Sequence, residues 1–220
     1  MKFDDILKFL KDLSKHNDRE WFEKNKERYL SNKSTFEIFV GDVLKGLSAF
    51  DDSLGGLDPK KLTFRIYRDV RFSKDKTPYK KNMSAAFSPT GKGMGTPGYY
   101  FQIEPGNRSF LAVGLFMPTP ENLSKIRQEI DYSGDRLQKI FDNRSFKKNF
   151  SRFWDEDKLK TAPKGYAKDH PYLEWLKLKS FIVEHSFKDT EVLDKNILKK
   201  ITDIMRSAKP LNDFLRDAIA

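Results

Sequence analysis

The chain has 220 residues, 38% hydrophobic and 34% charged, with a formal net charge of +10 and no cysteine. That length fits one large domain or two small ones, and a single domain of this size buries about 70% of its unfolded surface, so a core without staples is expected. The missing thiol excludes disulfides, thiolate metal sites and a cysteine nucleophile; no run approaches a membrane span or a signal-peptide core, so a cytoplasmic protein without membrane partners is expected.

Residues 1–50 read as helices. Phe3, Ile6, Leu7, Leu10 and Leu13 make one apolar stripe at helical spacing, and Phe36, Phe39, Val40, Val43, Leu44 and Leu47 make another. Between them Asn17, with Glu20 three residues on, reads as the start of a helix anchored by Trp21, Phe22 and Tyr29. Gly55, Gly56 and Pro59 end this region. From Leu62 the period drops to two, with Leu62, Phe64 and Ile66 on one side and Thr63, Arg65 and Tyr67 on the other, which predicts a strand. Met83, Ala85 and Phe87 predict a second strand. A glycine-rich loop, residues 91–98, leads to a third at 99–104, and Pro105-Gly106-Asn107 turns into a fourth at 110–117. That last run is apolar on both faces and is expected at the centre of the sheet. Thr119-Pro120 starts a helix through Ile130, with another around Leu137–Phe141. Residues 181–187 predict a further strand, and two helices, at 192–205 and 211–219, close the chain. The order is α+β: a mostly antiparallel sheet of five to six strands flanked by N-terminal and C-terminal helices, in a single domain over residues 1–220.

The charge is unevenly placed. Residues 60–81 carry nine basic side chains, opposed only by Asp69 and Asp75. Crowding of this kind points to a negatively charged partner, an anionic ligand or nucleic acid. Arg65, Tyr67, Arg68, Arg71, Lys74, Lys76 and Lys80 are the candidate ligand-binding residues, because guanidinium groups match phosphate and carboxylate. Phe64, Tyr67, Phe72 and Tyr79 supply rings on which unpaired bases could stack. The competing reading is an interaction protein with no small ligand, in which Arg65, Arg68 and Arg71 pair with Asp69, Asp75 and helix carboxylates as structural bridges. A third reading is an enzyme that holds a small phosphorylated or carboxylated substrate on Arg65, Arg71, Lys76 and Lys80, with Asp69 or Glu104 as base.

The loop from Thr90 to Gly98 lacks the helix that a phosphate loop or dinucleotide fingerprint requires after it, and reads as a hairpin loop, with a lid over the basic face as the alternative. In the stretch 162–171, Asp169 reads as the cap of a helix over 171–178, while Lys164 and Lys168 join the anion site if this loop folds toward the first cluster. His185 reads as a satisfied core histidine and His16 as exposed. The scattered histidines offer no metal motif, so no metal site is expected, and no cofactor is indicated.

Several stretches together resemble one family, domain of unknown function 2461. The run from Phe64 to Lys80 is similar to its hallmark motif. Glu20-Trp21-Phe22, Gly98-Tyr99-Tyr100, Ile103-Glu104-Pro105, Gly114 to Pro118, Ala162 to Tyr166 and Asp169-His170-Pro171 are similar to its other blocks. Asn17 and Asp18 stand where the family often has an Asn-rich helix start, a small departure. The resemblance implies a single domain of a mainly bacterial family with some fungal members. It implies no activity, and no catalytic residue comes with it.

Overall fold

The computed structural model describes residues 3–92 and 95–220. Helix α1 (Phe3–Lys15) buries Ile6, Leu7, Leu10 and Leu13, and its first turn carries Asp4 and Asp5, which suit the positive end of the helix dipole. Asp18, not Asn17, caps α2 (Arg19–Lys24), accepting from Trp21 N at 2.9 Å. Helix α3 (Lys26–Ser48) buries the expected stripe from Phe36 to Leu47. A 3-10 turn (Asp52–Leu54) and the single turn α4 (Pro59–Leu62), capped by Asp58, follow.

The sheet has four strands, β1 (Met83–Phe87), β2 (Gly98–Ile103), β3 (Ser109–Leu115) and β4 (Phe181–Phe187), in that spatial order, every pair antiparallel. The expectation of five to six strands is therefore corrected to four. The difference lies at 62–67. Leu62 ends α4, and only the Thr63–Ala85 bridge and Phe64 N on Ser84 O (2.9 Å) join the segment to β1. Beyond Phe64 the segment pairs with itself: Arg68 N donates to Pro78 O and Lys80 N to Ile66 O. Pro78 has no N–H to extend a ladder. The alternation holds in part: Leu62 and Ile66 are buried and Arg65 and Tyr67 exposed, but Phe64, expected beside Leu62 and Ile66, is half-buried, and the segment is an arm rather than a strand.

Between β3 and β4 the chain leaves the sheet through α5 (Pro120–Asp142), α6 (Arg144–Asn149) and α7 (Leu173–Leu176), and it ends in α8 (Asp189–Val192), α9 (Ile197–Ser207) and α10 (Lys209–Ile219). Thr119 caps α5, accepting from Asn122 N. The two helices expected at 119–130 and 137–141 are the halves of α5, joined at Ser133, whose φ of −128° is not helical. β3 is central, as its two-faced apolarity requires. At Gly114 (φ +129°) a Cβ would run into Phe181 O, so only glycine lets β4 approach here.

Strand alternation gives the sheet two faces. Ala85, Phe101, Leu111 and Val183 point into the core, where Phe39 of α3 meets Phe101 at 5.7 Å between ring centres. Ser84, Tyr100, Gln102, Phe110, Ala112 and Glu184 point outward, and Phe64, aligned beside Ser84, continues that face past β1. No helix among the described residues is long and apolar enough to cross a membrane.

Candidate functional site: the basic arm

Residues 63–82 form an arm that rises from the β1 edge and returns to it. Two anchors place it. Asn17, just before α2, grips the backbone of Tyr79 from both sides: Nδ2 donates to Tyr79 O (2.9 Å) and Tyr79 N donates to Oδ1 (3.0 Å). Tyr79 is buried and stacks on Phe22 of α2, with ring centres 4.0 Å apart and 14° between planes. Tyr67 leans on the same pair, 5.3 Å from Tyr79 and 6.0 Å from Phe22. Asn17 is thus no helix cap but the clasp of the arm.

Within the arm the cations divide into two groups. Arg68 is turned inward. Its Nη1 donates to Asp75 Oδ2 (2.7 Å), to Thr77 O (3.0 Å) and to Thr77 Oγ1, and Nη2 donates to Ser73 Oγ at 3.3 Å. Arg71 makes a two-pronged pair with Asp69, Nε to Oδ1 at 3.0 Å and Nη2 to Oδ2 at 2.6 Å. Both carboxylates respond: hydrogen bonds from Thr77 N and Oγ1, then Arg68, bring Asp75 down to about 2, and Arg71 holds Asp69 below the usual range. Lys76 donates to the carbonyl of Val70 at 3.0 Å. For Arg68 and Arg71 the structural-bridge reading describes the contacts.

Arg65, Lys74 and Lys80 form no ion pair among the described residues, although the Arg65 charge reaches Asp69 and helps to lower it; the arm's only ion pairs there are those of Arg68 and Arg71. Lys80 Nζ lies 5.2 Å from the centre of the Phe64 ring. Lys92, from the glycine-rich loop, comes in beside it at 5.9 Å and donates to Thr63 O at 2.9 Å. Burial, and then the neighbouring charges of Arg65 and Lys92, push Lys80 below the ordinary lysine range. Two ammonium groups therefore share one ring at the root of the arm, with the Arg65 charge near enough to act on Lys80. Phe64 in turn abuts Tyr100 (6.2 Å), and Tyr100 abuts Phe110 (5.5 Å), both on the outer face of the sheet.

Lys92 was not among the residues read as a site, because the loop that carries it fails as a phosphate loop. The centre of that loop, Gly93 and Met94, lies outside the described residues. The available signal was a lone lysine in a hairpin loop beside a basic strand. The two carboxylates suggested as bases are committed elsewhere. Asp69 is held by Arg71, and Glu104 accepts from Gln102 Nε2 (2.8 Å) and Asn82 Nδ2 (3.5 Å) and pairs with Arg108 Nε at 2.9 Å.

The second basic stretch belongs to another part of the molecule. His170 Nε2 faces Asp131 Oδ1 of α5 at 2.9 Å, while His170 Nδ1 accepts the N–H of Tyr172 at 3.0 Å. An accepting Nδ1 leaves the ring proton on Nε2, where it is donated to Asp131. The expected Asp169 cap is thereby corrected. The helix here is the single turn α7, and Tyr172 leads into it with its N–H taken by His170. Lys164 and Lys168 are exposed on this loop. No hydrogen bond, ion pair or ring contact among the described residues joins it to the arm, so the two basic stretches are not brought together. His185 is half-buried with Nδ1 at 3.0 Å from Asn149 O, and His16 is exposed. Among the described residues no group of three or more His, Asp or Glu side chains is placed to hold a metal ion.

A meandering antiparallel sheet of four strands with helices before, within and after it defines the class, an α+β protein. The particular family follows from the sequence match. Residues 5–214 fit the model of the conserved hypothetical protein family DUF2461, and the chain belongs to that family. No curated protein and no solved structure matches it.

Proposed function

We propose that this chain binds an anionic ligand, carried on phosphate or carboxylate groups, at the root of the basic arm, with Arg65, Lys80 and Lys92 as the receiving cations and Lys74 contributing along the arm. One observation carries the reading: Lys80 and Lys92 both face the Phe64 ring, neither has a carboxylate partner among the described residues, and Lys80 is depressed by its own burial and by the charges of Arg65 and Lys92. Crowding of like charge is unfavourable in the empty protein and becomes favourable when an anion enters. Arg68 and Arg71 take a supporting part, because their donors are already used in shaping the loop. The clasp from Asn17 and the Tyr79–Phe22 stack fix the arm beforehand, which lowers the entropy lost on binding.

The test is a thermal shift with pyrophosphate, citrate and inorganic polyphosphate at low salt. A ligand that binds only the folded state raises the melting temperature in proportion to ln(1 + [L]/Kd). The wild type gains with at least one of these anions, the gain shrinks as salt rises, and Lys80→Met abolishes it. An equal shift in wild type and variant, or none in either, ends the proposal.

A further inference from the structure

Of the four rings in the basic segment, three are engaged. Tyr79 is buried on Phe22, Tyr67 leans on both, and Phe64 lies under Lys80 and Lys92. Phe72 alone stands in water, 96% exposed. Leaving a phenylalanine out forgoes roughly 2 kcal/mol of burial, and a single exposed apolar side chain is by itself unremarkable. Here, however, the loop that presents it is braced. Arg68 ties Ser73, Asp75 and Thr77 together, Asp75 Oδ1 accepts Thr77 N at 2.9 Å, and Lys76 reaches back to Val70 O at 3.0 Å. The ring's neighbours are cationic: the Arg71 guanidinium carbon is 5.9 Å from its centre, and Lys74 and Lys76 follow in the chain.

Resting on the anion-binding reading above, we propose that the guest of the arm is a single-stranded nucleic acid, with Phe72 as the platform for an unpaired base and Arg65, Lys74, Lys80 and Lys92 as the contacts to its phosphates. The chemistry selects this guest. Cations spaced along a segment suit a repeating charge, and an exposed aromatic face on a braced loop suits any base, the combination by which proteins hold unpaired strands. An anionic membrane would need several apolar side chains at the tip, whereas Leu30, Ile38, Phe116, Met117, Tyr132 and Leu193 lie outside the arm and Tyr67 packs on Tyr79 and Phe22.

The experiment is fluorescence anisotropy at about 50 mM salt with a labelled oligothymidylate and an abasic strand of equal length, with anionic phosphatidylserine vesicles as a third probe. Phe72→Ala is expected to weaken the oligothymidylate about 5- to 150-fold, the range of one lost base stack, and to leave the abasic strand unchanged. Arg65→Gln with Lys80→Met weakens both strands. If wild type binds both strands equally and Phe72→Ala changes neither, base stacking is wrong while anion binding stands. If wild type binds neither strand but responds to polyphosphate, or binds only vesicles, nucleic acid is the wrong guest. If no polyanion binds at all, the reading beneath it fails too. Because Phe72 touches little of the fold, an unchanged circular dichroism spectrum separates lost binding from lost structure.

Discussion

Replacing Lys80 by methionine should make the empty protein more stable and the binding protein useless. The ammonium lies near Arg65 and Lys92 and is partly buried, and all three effects disfavour its charge. Relief of such like-charge contact near a surface is worth about 0.5–1 kcal/mol. Against it stands the cation–π contact with Phe64, about 0.5–1 kcal/mol at a partly exposed site. A methionine in its place recovers a similar amount through its sulfur on the same ring. Those two terms nearly cancel, so the repulsion decides the sign, and the variant gains about 0.5–1 kcal/mol, or about 1–4 °C for a chain of this size. Urea denaturation at pH 7 and low salt measures it. Raising the salt narrows the difference by screening. So does raising the pH: a lysine depressed in the folded state disfavours folding while it is charged, and that penalty fades as pH climbs through the folded pKa toward the ordinary 10.5. A variant that loses more than about 1 kcal/mol at low salt would mean that Lys80 already has a favourable counter-charge, and the argument for a guest anion would fall.

Other perturbations separate framework from site. Arg68→Gln leaves Asp75 and the Thr77 carbonyl without their shared donor. It should lower stability by about 1 kcal/mol and make the loop at 68–77 the first site of limited proteolysis; an unaltered melting temperature and cleavage pattern would remove Arg68 from the framework. Asn17→Ala strips two hydrogen bonds from Tyr79, with an expected loss of about 1–2 kcal/mol and faster amide exchange at Tyr79 than elsewhere in the arm. Asp51 is buried, which alone would raise its carboxyl, but hydrogen bonds from Arg216, Ser53 and Tyr99 bring it down from 3.8 to about 2. A depressed carboxyl adds stability above its ordinary pKa and gives it up as pH falls. Roughly 2 kcal/mol should therefore disappear between about pH 4 and pH 2, and Asp51→Asn should flatten that part of the profile. A variant profile parallel to the wild type would contradict this.

What could be read from the sequence depended on how far apart the interacting residues stand. The centre of the sheet was legible because β3 is apolar on both faces, and the start of α5 because Thr119-Pro120 acts locally. The β2–β3 turn was legible from Pro105-Gly106-Asn107, with φ of +85° at Gly106 and +61° at Asn107. The division of the cations was not. Arg68 finds Asp75 seven residues away only because the loop closes on itself, and Asn17 meets Tyr79 across 62 positions. Period-two alternation at 62–67 matched burial at Leu62, Arg65, Ile66 and Tyr67 but not at Phe64, and it carries no information on whether a neighbouring backbone continues the pairing. Lys92 was not singled out, although its loop had an alternative reading as a lid over the basic face, because nothing local in the sequence shows that this side chain reaches Phe64.

The root of the arm has one more consequence. By running beside β1 through the Thr63–Ala85 bridge and the Phe64–Ser84 hydrogen bond, it occupies a rim to which another chain's backbone could otherwise add, and it dresses that rim in positive charge, a combination that discourages sheet-to-sheet growth. A shortened protein engineered without this stretch would lose its guest and its insulation together, and would be prone to polymerise through the bared flank.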